Sequence, residues 1–161
     1  MIWRPDRPRS AGGPALREPP ATVCERKVEW YDTDAAGHHH HSAILRWVEA
    51  AEAELFRRHG LEGLFGRIPR VRYEADYRAR LVFGQPVRIG LRVAELGRTS
   101  LHYEFEVLTA DGTIAAKGLS VVVYAPTLES AATPWPEEVR VALSPAGPRR
   151  PGHGDRRPKE S

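Results

Sequence analysis

Between residues 42 and 59 the apolar positions recur at helical spacing. Ile44, Val48, Ala51 and Leu55 step by four, three and four, while Arg46, Glu49, Glu54, Arg57 and Arg58 fall on other faces. Ala50, Ala51 and Ala53 are strong helix formers, Glu54 and Arg58 make a favourable i,i+4 pair, and Gly60 is a natural stop. The spacing predicts a helix from about Ser42 to His59. Downstream the period changes to two. Val71, Tyr73, Ala75, Tyr77, Ala79 and Leu81 alternate with Arg72, Glu74, Asp76, Arg78 and Arg80, as in a strand with one dry and one wet face. After Gly84-Gln85-Pro86 the alternation resumes at Val87, Ile89, Leu91 and Val93, turns at Leu96-Gly97-Arg98, and continues through Leu101, Tyr103, Phe105 and Val107. Asp111-Gly112 is a hairpin signal, and Ile114 to Tyr124 reads as a last strand whose Val121-Val122-Val123 run suits a central position. Upstream of the helix, residues 22–31 read as a strand, with Cys24, Val28 and Trp30 on one face.

The predicted order is strand, long helix, then four antiparallel strands in a meander. A sheet with one dry face must be covered, and one helix is available to cover it. The expectation is an α+β domain over residues 21–143, a curved antiparallel sheet of about five strands wrapped around one long helix. A single helix leaves an edge strand open, which predicts a dimer by edge-to-edge pairing.

Composition narrows the function. The 161 residues carry a formal net charge of +3. Residues 1–20 and 144–161 together hold +5, which leaves −2 on the central region, so the folded part lacks the basic excess of a nucleic-acid binder. Nine of the 14 Pro lie in these two segments, a composition that predicts disordered tails. No stretch approaches the roughly 18 apolar residues of a membrane span, and Met1-Ile2-Trp3-Arg4-Pro5 is not followed by an apolar secretory core. Cys24 is the single cysteine, which excludes an intrachain disulfide. These features together predict a cytoplasmic protein.

The chemistry is expected in Tyr31-Asp32-Thr33-Asp34-Ala35-Ala36-Gly37-His38-His39-His40-His41-Ser42, between the first strand and the helix. A helix start offers unpaired N–H groups and about half a positive charge. A carboxylate a few residues upstream can lie across a substrate carbon from those donors, which is the minimal equipment for acyl transfer. Read from residue type alone, Asp34 is more readily a helix cap or turn residue than a catalytic one. Four consecutive histidines invite a metal reading. No two of them stand at the i,i+4 spacing that chelation on one helix face prefers, so no metal is expected.

Asp32-Thr33-Asp34-Ala35-Ala36-Gly37, followed by a helix containing Leu45-Arg46-Trp47-Val48-Glu49-Ala50-Ala51, resembles the 4-hydroxybenzoyl-CoA thioesterase family. It is most similar to the acyl-CoA thioesterases of the branch found in Tol–Pal operons. The resemblance covers about residues 23–126, including Tyr73–Val87 and Gly97-Arg98-Thr99-Ser100. It implies a hotdog fold, active sites at dimer interfaces and hydrolysis of an acyl-CoA thioester. The second aspartate of the motif, Asp34, is then the catalytic carboxylate, acting as nucleophile or general base. The residue at the helix start, His41, supplies the backbone N–H that polarises the thioester oxygen. Asp32 is structural. Gly37, His40 and Arg98 are expected at the substrate, Arg98 because guanidinium suits CoA phosphates, as Arg78 and Arg80 also would.

The chain departs from the family at His38, His39 and His40, where relatives place apolar or aromatic residues, and this puts the acyl group in question. Glu49, on the helix where other hotdog branches use an acidic residue, His59 near the helix C-terminus and His102 on a wet strand face are weaker candidates. The expected partners are acyl-CoA or an acyl-carrier protein, and a second copy of the chain as dimer or tetramer. The alternatives are an acyl-CoA hydratase or dehydratase on the same fold and a hotdog protein that binds acyl-CoA without turning it over.

Overall fold

A computed structural model describes residues 19–144. The tails expected at 1–20 and 144–161 lie outside the described residues, apart from Pro19, Pro20 and Ser144. Pro20 is buried, and its carbonyl accepts the Val93 N–H at 2.9 Å.

The elements are β1 (Ala21–Lys27), α1 (His41–Arg58), β2 (Arg70–Tyr77), β3 (Pro86–Leu96), β4 (Ser100–Thr109), β5 (Ile114–Val123) and α2 (Glu137–Leu143). Short 3₁₀ turns occupy Trp30–Asp32 and Glu62–Leu64. The strands form one antiparallel sheet in the order β1-β3-β4-β5-β2. The periodicity therefore located the strands, but the four-strand meander is corrected. Only β3, β4 and β5 follow one another across the sheet. They are joined by short turns, whereas segment 78–85 carries the chain from β2, at the far edge, across the end of the sheet to β3.

Helix α1 is amphipathic as its spacing predicts, and Ile44, Val48, Ala51 and Leu55 are fully buried. They meet the two dry rows, Val87, Ile89, Leu91 and Val93 of β3 and Leu101, Tyr103, Phe105 and Val107 of β4, all buried. A buried Leu, Ile or Val side chain contributes about 1.5–3 kcal/mol, so this single contiguous core carries most of the fold. Among the described residues no helix is long and apolar enough to cross a membrane.

Three further expectations are corrected. The first strand ends at Lys27, not at residue 31. The Asp32 carboxylate accepts the Glu29 N–H at 3.0 Å, and this folds Trp30–Asp32 into a 3₁₀ turn with Trp30 77 % exposed. In β2 a register shift between Arg70 and Arg72 turns Val71 out to solvent, and the strand stops at Tyr77. A second helix, α2, was not foreseen. Its Val139 and Leu143, with Trp135 just before it, are buried and join the core, α2 packing on β3. Trp135 stacks on Tyr124 at 5.4 Å and donates its indole N–H to the Ser100 carbonyl at 3.2 Å. The Pro-rich approach to α2, with Pro134 and Pro136, masks its brief helical pattern.

The far edge depends on one glycine. A Cβ at Gly118 of β5 would stand 1.9 Å from the Glu74 carbonyl oxygen of β2 and 2.8 Å from the Phe105 ring. The missing side chain lets Phe105 lean across β5 and stack on Tyr73 of β2 at 5.7 Å, the rings within 3° of parallel. Gly118→Ala is expected to destabilise the protein by about 3 kcal/mol, the upper end of ordinary overpacking, since the obstructing atom is backbone. Urea denaturation would measure the loss, with amide exchange in β2 accelerating more than in β3 or β4.

Candidate active site

The segment between β1 and α1 is held by its own polar groups. Buried Asp32 accepts the Glu29 N–H through one carboxylate oxygen and the Arg46 guanidinium through the other, both at 3.0 Å. Its carbonyl receives the His40 N–H at 2.6 Å. Residues 34–37 then form a tight turn. The Gly37 N–H donates to the Asp34 carbonyl at 3.0 Å, the Asp34 N–H to the His38 carbonyl at 3.2 Å, and Gly37 takes φ +82°, where only glycine is unstrained. Asp34 has a turn role, because its Oδ1 accepts the Ala36 N–H at 2.8 Å. The other carboxylate oxygen has no hydrogen-bond partner among the described residues, and the side chain is exposed.

Beyond the turn the histidines take separate positions. His40 caps α1: its Nδ1 accepts the Ser42 N–H at 3.2 Å and lies 2.8 Å from the Ser42 hydroxyl, which Arg46 also reaches. The Ala43 N–H is taken by the His40 carbonyl. Of the amides opening α1, the His41 N–H is thus left without an acceptor among the described residues, and its exposed ring lies against that of His40 at 4.0 Å. His39 is buried and clamped to the crossover segment. Its N–H donates to the Leu81 carbonyl at 2.7 Å, and its Nδ1 accepts the Leu81 N–H at 3.1 Å. Burial, aided by the neighbouring His38, pushes the His39 imidazole below its ordinary 6.5, while Asp34 opposes the shift.

An open cleft of about 380 Å³ lies where these pieces meet. Asp34, His38, His39 and His41 form one side, and Tyr77, Arg78, Ala79 and Arg80, on the end of β2 and the crossover, form the other. The Tyr77 hydroxyl donates to the His41 carbonyl at 3.0 Å, which ties the start of α1 to the sheet edge. A carboxylate with a free oxygen thus shares a cavity with a helix start that has a free amide. Larger hollows, about 450 Å³ on the outer sheet face and about 640 Å³ between β1 and α1, bring together no such pair.

The structure brings Asp34 and His41 into one cleft with Arg78 and Arg80, keeps Gly37 and His40 beside them but outside the cleft lining, and separates only Arg98. His40 is turned into the cap, and Gly37 sits at the exposed turn. Arg98 lies between β3 and β4, at the opposite end of the strands, roughly 20 Å along β4 from the row that faces the cleft. Glu49 is half exposed and 3.7 Å from Arg70, and His102 faces the Ser100 hydroxyl at 3.2 Å, so both are engaged elsewhere. Sequence reasoning missed Tyr77, and it noted His39 only together with His38 and His40 as a departure bearing on the acyl group. Tyr77 stood in a row of apolar alternation, and His39 was one of four identical neighbours. No group of three or more His, Cys, Asp or Glu able to hold a metal occurs among the described residues.

A family model for the thioesterase-like superfamily matches residues 28–143. The chain belongs to the thioesterase-like superfamily. Its fold is the hotdog fold of that superfamily, and relatives named as hydrolases of thioesters are among those it matches. A 1,4-dihydroxy-2-naphthoyl-CoA hydrolase from Synechococcus is 33 % identical over 102 residues, 56 % of this chain and 68 % of that protein. A Thermus thermophilus thioesterase, solved with coenzyme A and zinc, superposes with a TM-score of 0.69 at 31 % identity, over 78 % of this chain and 98 % of that one. A gentisyl-coenzyme A thioesterase superposes at 0.67 with 27 % identity, over 76 % and 98 %. In this superfamily member three imidazoles, His38, His39 and His41, line the cleft.

Proposed function

We propose that the protein is an acyl-CoA thioesterase in which Asp34 is the catalytic carboxylate and the His41 N–H polarises the thioester carbonyl. The observation that carries this reading is the shared cleft of Asp34 and the α1 start. With the thioester oxygen near the His41 amide, negative charge gathering on that oxygen meets a fixed donor and the positive end of α1. Asp34 then either attacks the carbonyl carbon, expelling CoA thiolate and leaving an anhydride for water to open, or takes a proton from the attacking water. Both routes yield a carboxylic acid and free CoA, and neither uses a cofactor. Arg78 and Arg80, beside the cleft, suit the CoA phosphates better than the distant Arg98.

The reading includes a homodimer. Strand β2 pairs only with β5 among the described residues, so its outer edge offers unpaired backbone groups to a second copy. A thiol-release screen with DTNB across short, long, branched and aromatic acyl-CoAs tests the activity. Turnover of at least one class is expected; hydration of enoyl-CoA without thiol release, or saturable binding without either reaction, would reject the thioesterase.

A further inference from the structure

We infer that His39 is a specificity-determining residue, a fixed hydrogen-bond donor in the cleft that favours acyl groups carrying an oxygen acceptor close to the thioester. The inference rests on the thioesterase reading for its substrate, and on three observations of its own. The Leu81 N–H points into the His39 Nδ1 at 3.1 Å, so that nitrogen must be the bare acceptor and the neutral ring must carry its proton on Nε2. The same Leu81 accepts the His39 N–H at 2.7 Å, which fixes the backbone behind the ring. His39 as a whole is only 6 % exposed yet lines the cleft, and Nε2 has no acceptor among the described residues. A bare N–H is therefore held at a cavity wall beside Asp34, in a position set by two backbone bonds.

A neutral imidazole N–H is too weak an acid to release its proton to a leaving thiolate, so its use is recognition. An acyl oxygen that accepts from it replaces the water lost on binding. A plain hydrocarbon acyl group covers the donor and leaves it unpaired, a penalty equivalent to roughly ten- to a hundredfold in kcat/KM. The donor thus selects on the presence of the oxygen, independent of chain length.

Matched substrates read this out: 2-hydroxybenzoyl-CoA against benzoyl-CoA, and acetoacetyl-CoA against butanoyl-CoA. The wild type is expected to prefer the oxygenated member of each pair at least about tenfold in kcat/KM. Two variants separate recognition from structure. In His39→Asn the side-chain oxygen replaces Nδ1 as the acceptor for the Leu81 amide, but nothing reaches the cleft. The preference should fall to about twofold or less, with the melting temperature nearly unchanged. In His39→Gln a terminal NH₂ stands near the former Nε2 while the Leu81 acceptor is lost, so the preference should persist in a less stable protein. An unchanged ratio in His39→Asn, or no preference in the wild type, overturns the proposal. Nitrogen-15 NMR of the full chain supplies a test without turnover. His39 should show a protonated Nε2 that shifts with 2-hydroxybenzoate and not with benzoate. A protonated Nδ1, or an equal response to both acids, sinks the proposal even where the thioesterase reading stands. If no acyl-CoA is cleaved, that reading fails alone and the spectra decide His39.

Discussion

Asp34→Asn is expected to lower kcat for thiol release by roughly 10²–10⁴ while the fold is retained. The side-chain amide oxygen of Asn can still accept the Ala36 N–H now taken by Oδ1 at 2.8 Å, so the turn over 34–37 keeps its bond. The free oxygen is replaced by an NH₂ that can neither attack a carbonyl nor take a proton from water. The loss should fall on kcat with KM little changed, because an interaction made only in the transition state is removed. An unchanged melting curve alongside the kinetics completes the experiment. Near-normal turnover in this variant would place the chemistry elsewhere in the protein.

Arg70→Met should cost about 3–5 kcal/mol of stability, because it strands a carboxylate under the long helix. Glu52 of α1 faces the sheet and is nearly buried, its side chain 10 % exposed, with the Arg70 guanidinium 3.3 Å from one carboxylate oxygen and 3.4 Å from the other. Arg70 also donates to the Ser120 hydroxyl of β5. Burial raises the Glu52 carboxyl above its ordinary value near 4.5, and Arg70 opposes that rise. Beside it, fully buried Tyr103 has its phenol pushed far up, first by burial and then by the Glu52 charge. Without Arg70 the carboxyl rises further. A carboxyl whose folded pKa exceeds its unfolded one is best tolerated below the unfolded value and loses stability as pH rises through the folded one. The deficit measured by urea denaturation should therefore be largest at neutral pH and narrow towards pH 4.5. Replacing both partners, Glu52→Leu with Arg70→Met, should recover most of the loss, since an apolar pair of similar volume needs no counter-charge. A single variant as stable as wild type would mean that water already reaches this pair.

Individual elements were legible because each follows from local periodicity. The rows Val87 to Val93 and Leu101 to Val107 alternate without interruption and are buried as that alternation requires. The step of four, three and four from Ile44 to Leu55 specifies the buried face of α1 with the same directness. Where a local rule met a competing contact, it failed. Trp30 continues the apolar face of the first strand, but Asp32 captures the Glu29 amide and turns the chain. Val71 obeys the dry–wet alternation, yet the register shift next to Arg70, whose side chain reaches under α1, puts it in water.

Asp34 and the helix start were recognisable from the chain, since a motif and the residues following it are neighbours along the backbone whatever the sheet does. The cavity between them was not. Its second wall, Tyr77 to Arg80, exists because β2 pairs with β5 at the far edge, so the chain must recross the sheet end beneath α1. That pairing is a long-range choice, decided by contacts such as Phe105 on Tyr73 over Gly118, which no periodicity encodes. The tautomer of His39 belongs to the same class: among four equivalent histidines in the sequence, His39 becomes a clamped donor only once Leu81 is brought against it. Short-range pattern dictates which segments are helix or strand because side-chain spacing there acts within one element. Which elements adjoin, and therefore what a cleft is lined with, depends on packing energies summed over the whole core.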